Sequence, residues 1–424
     1  MEKWLNDKLM PALYKFSMNK VLVGIRDGLS IIIPFTIIGS VFLILGNFPV
    51  QSWLDMVAPY SRFFDSVTNV TFSSLGLLAA IGIGYNMAVQ YDVEPISNTA
   101  LTVITFLLAT ESITLSADTG VLTAAINVEN FSAEGMFTAI LVSIFVTFTF
   151  KYFLDHKIVI RLPEGVPAAV ANSFVSLIPG AVIIGVIWLI RVVCGVDINA
   201  VMQMVFSPLV KGVASLPGTI VYLILYSLFW VVGIHGDLML QGVVSPIWLA
   251  LMADNAAALA AHQPIPNVMC DPFVAIFVNF GGTGGTLALC YMMMRSKSKR
   301  YKELGKLALL PGIFNINEPI IFGFPIVMNP VMAIPFVLNG LVVGVSTYLL
   351  MQWNIIGRIV VEVPWTTPNI LGALLCTNGN IPATIWAALE LVISYFIYLP
   401  FFKQQEKVEL ANELKETSDS TETK

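Results

Sequence analysis

The chain has 424 residues, a mean hydropathy of +0.81, 57% hydrophobic residues and only 12% charged residues. Soluble domains carry about 25% charged residues, so this composition excludes a soluble globular protein. The formal net charge of −5 says little by itself; where the charges fall along the chain says more.

At the N-terminus, Lys3, Lys8, Lys15 and Lys20 alternate with dispersed apolar residues. That pattern predicts an amphipathic helix at the membrane interface and no secretory signal. Uncharged runs follow at Gly28–Leu54, Ser66–Tyr91, Gly165–Ile190, Gly212–Gly236, Pro272–Met294 and Val363–Leu389. Each exceeds the roughly 20 residues that a helix needs to cross a bilayer. The short alternating strands of an outer-membrane barrel are missing. The expected fold is an all-α polytopic membrane protein with about ten transmembrane helices, two re-entrant hairpins and interfacial amphipathic helices. Spans are expected near 28–47, 68–90, 96–111, 136–154, 170–194, 217–234, 238–257, 272–294, 327–350 and 382–402.

Lysine and arginine orient these spans, because cytoplasmic loops collect them. Of the 22 such residues, 18 fall in 1–26, 151–161, 295–306 and the end of the chain from Lys403. The segment 111–134 holds Glu111, Asp118, Glu129 and Glu134 and no base. Ten spans with both termini cytoplasmic satisfy this distribution.

Two apolar stretches do not read as ordinary spans. Residues 303–325 contain Pro311, Pro319 and Pro325, and residues 355–381 contain Pro364, Pro368 and Gly372. Broken apolar segments of this kind predict re-entrant hairpins around a binding site. Val196–Val213 is more polar and reads as an interfacial helix between two halves. The expected organisation is a scaffold and dimerisation half over 1–200, a substrate half over 201–402, and a solvated, frayed cytoplasmic tail over 403–424.

The candidate chemistry lies in the second half. Asn315-Ile316-Asn317-Glu318-Pro319 puts a carboxylate at the head of the 39-residue uncharged run Pro319–Gly357. A carboxylate beside hydrocarbon is costly and marks a functional site. Pro319 biases Glu318 away from helical geometry, so a bent, non-helical peptide is expected at the acid. Irregular backbone at that depth is tolerated only where it lines a cavity.

Gly233-Ile234-His235-Gly236-Asp237 places a histidine between glycines. It reads either as a ligand for substrate hydroxyls or as a structural histidine at a helix break. Asn279-Phe280-Gly281-Gly282-Thr283-Gly284-Gly285-Thr286 reads as a small-residue packing face first and as exposed hydrogen-bonding backbone second. Val363-Pro364-Trp365-Thr366-Thr367-Pro368 offers an aromatic platform beside hydroxyls, or a tryptophan at the membrane interface. Glu390 sits mid-span and reads as structural, paired with a helix neighbour or protonated. Arg358 and Glu362 are spaced to pair near the outer surface. Cys194, Cys270, Cys290 and Cys376 form no CxxC pair, and no metal or cofactor is expected.

The elements at 233–237, 315–325 and 363–368, in that order, resemble the membrane IIC components of bacterial sugar phosphotransferase systems. The similarity is greatest to the permeases for cellobiose and N,N′-diacetylchitobiose within the lactose/cellobiose/diacetylchitobiose family. The resemblance implies a homodimeric sugar permease in the bacterial cytoplasmic membrane, with an elevator-like movement of the substrate half. It implies that His235 and Glu318 hydrogen-bond a β-linked disaccharide, with Glu318 at the 6-hydroxyl, and that Asn317, Gly282, Thr283 and Trp365 add contacts. Phosphoryl groups would come from a cysteine on a separate IIB protein, supplied by IIA and HPr, so the chain is not an enzyme on its own. The competing readings are an ion-coupled secondary sugar transporter, with Glu390 or Asp254 as the ion site, and a membrane enzyme acting on lipid-linked sugars.

Overall fold

The computed structural model describes residues 15, 18–110, 113–116, 123–126, 129–163, 167, 173–324 and 326–422. The amphipathic helix expected before Lys20 lies almost wholly outside these residues, as do Glu111, Asp118 and Pro325. By packing, the chain divides into two compact units. The first comprises 1–43, 59–211 and 238–254, the second 44–58, 212–237 and 255–424. Each unit therefore draws on chain from both sides of residue 200.

The first unit contains α1 (Lys20–Leu29), the start of α2 (Ile33–Asn47), α4 (Ser61–Phe72), α5 (Leu75–Gln90), α6 (Pro95–Ala109), α7 (Met136–Asp155), α8 (Leu177–Trp188) and α9 (Ile198–Ala214). The short α3 (Gln51–Val57) falls in the second unit. Small residues set the helix crossings. Gly28 of α1 faces the backbone of Ile83 on α5, where an added Cβ would stand 2.5 Å from the Ile83 Cα. With no hydrophobic drive between helices in lipid, close backbone approach of this kind supplies the packing. Asn98 on α6 is fully buried and donates to the Gly84 carbonyl at 2.7 Å and to Thr147 Oγ1 on α7 at 3.0 Å. The axis from Leu177 to Val193 turns 88° into α9, where an interfacial helix was expected. Between α6 and α7 stands a feature the sequence did not suggest, a two-stranded antiparallel hairpin of β1 (Ile113–Ser116) and β2 (Thr123–Ile126).

The second unit contains α10 (Leu216–Val231), α12 (Phe273–Phe277), α13 (Leu287–Met294), α14 (Lys299–Ile313), α15 (Glu318–Gly323), α16 (Pro330–Gln352), α17 (Asn369–Cys376) and α18 (Ile381–Glu422). The long α11 (Gly236–Ala260) runs through both units. Ser215, Ser298 and Asn329 cap α10, α14 and α16 by accepting free backbone N–H groups at their N-termini.

Among the described residues, six helices are long and apolar enough to cross a bilayer, or seven if the bent α8–α9 pair is one span. α6 and α10 are shorter apolar helices at two more of the expected positions.

Three expectations need correction. Residues 272–294 do not form one helix: α12 and α13 flank a loop in which Gly281, Gly282, Gly284 and Gly285 all have positive φ. Glu318 is not in bent peptide but opens α15; the bend lies earlier, at Asn315 with φ +63°. A proline in the first turn loses no hydrogen bond that a helix would make there, so Pro319 starts this helix instead of breaking it.

The described part of the tail is helical and docked, not frayed. α18 continues to Glu422, and its carboxylates hold the foot of α14. Glu406 accepts from Ser296 Oγ at 2.6 Å and from the Lys297 N–H at 2.8 Å. Glu413 accepts from Ser298 Oγ at 2.7 Å and from the Lys299 and Arg300 N–H groups. Glu409 pairs with Arg300 at 3.1 Å. Free N–H groups at a helix start attract carboxylates, so acidic residues that read as solvated are docked here.

Candidate functional site

The second unit brings three broken pieces of chain together through three asparagines. Asn315 Oδ1 accepts from the Gly281 N–H at 3.1 Å, while its amide donates to the carbonyls of Trp365 at 2.7 Å and Thr367 at 3.1 Å. Asn317 is 4% exposed and donates to the Thr283 carbonyl and to Thr286 Oγ1, each at 2.8 Å. Asn369, at the head of α17, donates to the Ile276 carbonyl at 2.8 Å and accepts from Gly281 N–H at 3.4 Å. Backbone groups of Ile276, Gly281, Thr283, Trp365 and Thr367 thus find side-chain partners, which suits broken backbone at membrane depth.

The glycines of the loop are required by this arrangement. Gly282 has φ +96°, and a Cβ there would run into the Asn317 side chain. Only glycine takes that backbone region and that approach without cost. The packing-face reading and the exposed-backbone reading are both too simple. The loop is irregular backbone held by side chains from the α14–α15 turn and from α16, with Asn339 of α16 donating to the Gly284 carbonyl at 2.9 Å.

The histidine element joins the same loop. Gly233 has φ +82° and ends α10, and His235 precedes α11 with its ring 4.3 Å from that of Trp230. His235 Nδ1 lies 3.9 Å from Asp237 Oδ2. Asp237 accepts from the Tyr226 hydroxyl at 3.2 Å. The Tyr226 hydroxyl stands 2.8 Å from Thr283 Oγ1 and accepts from Asn279 Nδ2 at 2.8 Å. A chain of contacts therefore runs from His235 through Asp237 and Tyr226 into the glycine loop.

The six residues singled out in sequence separate into two groups. His235, Glu318 and Trp365 are exposed. The Glu318 carboxylate makes no hydrogen bond or ion pair with the other described residues, so it is free to take a partner. Asn317, Gly282 and Thr283 are buried and hold one another in place. Sequence reasoning missed Tyr226, Asn279, Asn315 and Asn369. Polar amides inside otherwise apolar runs are costly unless satisfied, and that signal was present at Asn279 and Asn369. Arg358 donates to the carbonyls of Ile265 at 2.7 Å and Pro266 at 2.9 Å, and Glu362 is 7% exposed. Glu390 is fully buried and accepts from Thr347 Oγ1 at 2.8 Å, which agrees with a structural role.

Residues 26–340 match the family model described as the phosphotransferase system EIIC. The chain belongs to the phosphotransferase system EIIC family. This EIIC protein is 36% identical to the cellobiose-specific EIIC component of Geobacillus stearothermophilus, over 97% of this chain and 95% of the relative. It is 35% identical to the lichenan permease IIC component of Bacillus subtilis (strain 168), over 96% of this chain and 94% of the relative. Among solved structures it matches the transporter ChbC, the IIC component of an N,N′-diacetylchitobiose-specific phosphotransferase system. That match has a TM-score of 0.91 and 35% identity, and covers 97% of this chain and 99% of ChbC. The EIIC protein is thus the membrane permease component of a sugar phosphotransferase system, and the similarity to such components extends over 97% of the chain.

Proposed function

We propose that this permease imports a β-linked disaccharide, cellobiose or N,N′-diacetylchitobiose, and presents its 6-hydroxyl to a phosphorylated cysteine of a separate IIB protein. The observation that carries this reading is the exposed, unpartnered Glu318 carboxylate beside a loop held rigid from behind by Asn317. The names of the relatives supply the sugar class.

In this reading His235, Glu318 and Trp365 touch the sugar. His235 donates or accepts at a hydroxyl, Trp365 receives a C–H face of the ring, and Glu318 orients the 6-hydroxyl and accepts its proton during in-line transfer. Asn317, Gly282 and Thr283 shape the backbone beside it. Phosphorylation then places roughly two negative charges on the sugar. Next to Glu318 they weaken binding and favour release inward. IIA and HPr would feed the IIB protein. A homodimer would form through the half at 1–200, the half at 201–402 would carry the sugar across, ten spans would place both termini in the cytoplasm, and this chain would have no enzymatic activity alone.

The test is binding of radiolabelled cellobiose and N,N′-diacetylchitobiose to purified protein and to His235→Ala. Saturable binding of one sugar, lost in the variant, is expected. Saturable binding that is unchanged in His235→Ala would remove the histidine from the site.

A further inference from the structure

Behind the glycine loop, between α16 and α18, three buried oxygens lack a partner among the described residues. Asn339 gives its amide to the Gly284 carbonyl, which fixes Oδ1 as an acceptor, and no described donor reaches it. Ser394 Oγ has no partner, and Glu390 has one on Oε1 only, leaving Oε2 without any. The three residues are 0%, 1% and 0% exposed. Native proteins rarely leave such groups unsatisfied.

Asn339 and Ser394 meet at one place, and Glu390 stands further along the same seam. A Cβ added to Gly285 would meet the Asn339 amide and would stand 3.2 Å from Ser394 Oγ. Glu390 lies one turn before Ser394 on the same face of α18, and one turn after it Tyr398 donates to the Gly284 carbonyl at 2.7 Å. The Thr347 partner of Glu390 lies two turns beyond Asn339 on the same face of α16. The polar strip thus runs along the α16–α18 seam and ends on the backbone of Gly284 and Gly285.

The donor count selects the occupant. Asn339 Oδ1 and Glu390 Oε2 need a hydrogen, and the Ser394 hydroxyl needs an acceptor. Water supplies both hydrogens and lone pairs, so internal water along this seam meets these needs. We propose that Asn339, Ser394 and Glu390 hold internal water along the seam behind the glycine loop and that they are positioning residues for the sugar site. The inference rests on the reading of that loop as part of the sugar site. The water fixes the seam, the seam fixes Gly284 and Gly285, and these fix the loop that carries Thr283 in contact with Tyr226.

The experiment combines an experimental structure of the full chain with sugar binding by the wild type, Ser394→Ala and Glu390→Gln. Solvent density along the seam at these oxygens is expected. Ser394→Ala removes one of the hydrogen bonds, and sugar affinity is expected to fall about tenfold. Glu390→Gln retains an oxygen acceptor and should stay within about threefold of wild type, which a purely ionic role would not allow. Affinity is expected to be equal in sodium chloride and choline chloride. Sodium-dependent affinity that disappears in Glu390→Gln would make this a cation site and overturn the proposal. Unchanged affinity in Ser394→Ala, with the wild type binding normally, would remove the positioning role. Failure of the wild type to bind either sugar would count against the proposed function, and the density would still decide the water.

Discussion

The two units of this permease solve the same problem by different means. The first brings helices close through small residues, as where Gly28 meets the backbone of Ile83. Many of its buried hydroxyls fold back on their own helix, as Thr102 does to Asn98 at 2.8 Å and Ser143 to Ala139 at 2.7 Å. The second is interrupted at the glycine loop, before α15 and before α17, and its asparagines reach far along the chain. Asn315 bonds residues 50 and 52 positions away. A broken helix exposes backbone that hydrocarbon cannot satisfy, so each break must come with its own side-chain donor. The cost of those breaks is what gives this unit irregular polar backbone beside an unpartnered carboxylate.

The comparison is broken most sharply at Gly282. Gly282→Val combines a disfavoured φ with a clash against Asn317, together about 4 kcal/mol. Thermal stability should fall and sugar binding should vanish. A variant that binds normally would show that the loop can move aside.

Asn315→Ala removes three hydrogen bonds that join the loop, the α14–α15 bend and the segment before α17. At about 1 kcal/mol each, roughly 3 kcal/mol is expected, seen as a lower Tm and weaker sugar binding together. Gly28→Ala should cost about 1–3 kcal/mol through overpacking against α5. Here Tm should drop with sugar affinity unchanged, because this crossing lies in the other unit. A parallel loss of affinity would contradict the division of labour.

The smallest effect belongs to the clamp at the end of α18. The hydrogen bonds from Ser298 and from the Lys299 and Arg300 N–H groups hold the Glu413 carboxyl below its ordinary value of 4.5. A depressed carboxyl stabilises the fold above its unfolded value and loses that contribution as the pH falls through the folded one. Amide protection in residues 299–303, relative to the unfolded chain at the same pH, should therefore fall below pH 4.5, and Glu413→Gln should lower it already at neutral pH. Protection that ignores both changes would mean that the clamp is incidental.

Much of this was legible in the residues. Hydropathy located most of the long apolar helices, and proline marked the breaks before α15 and α17. Glu318 declared itself because a carboxylate has no bland reason to stand at the head of 39 uncharged residues. The interruption at Gly281–Gly285 was hidden because its residues are small and apolar and pass for a helix face. Asn315 and Asn369 were hidden because their partners lie dozens of residues away, and no local pattern records such pairing. The docking of Glu406 and Glu413 was hidden because a charged helix looks the same in sequence whether it is solvated or bound.

The central claim is that Glu318 serves the sugar 6-hydroxyl. It is tested most directly by sugar phosphorylation in membrane vesicles supplied with phosphorylated IIB protein, comparing wild type with Glu318→Gln. The account predicts that the variant still binds disaccharide and phosphorylates almost none of it. Phosphorylation at the wild-type rate would contradict it.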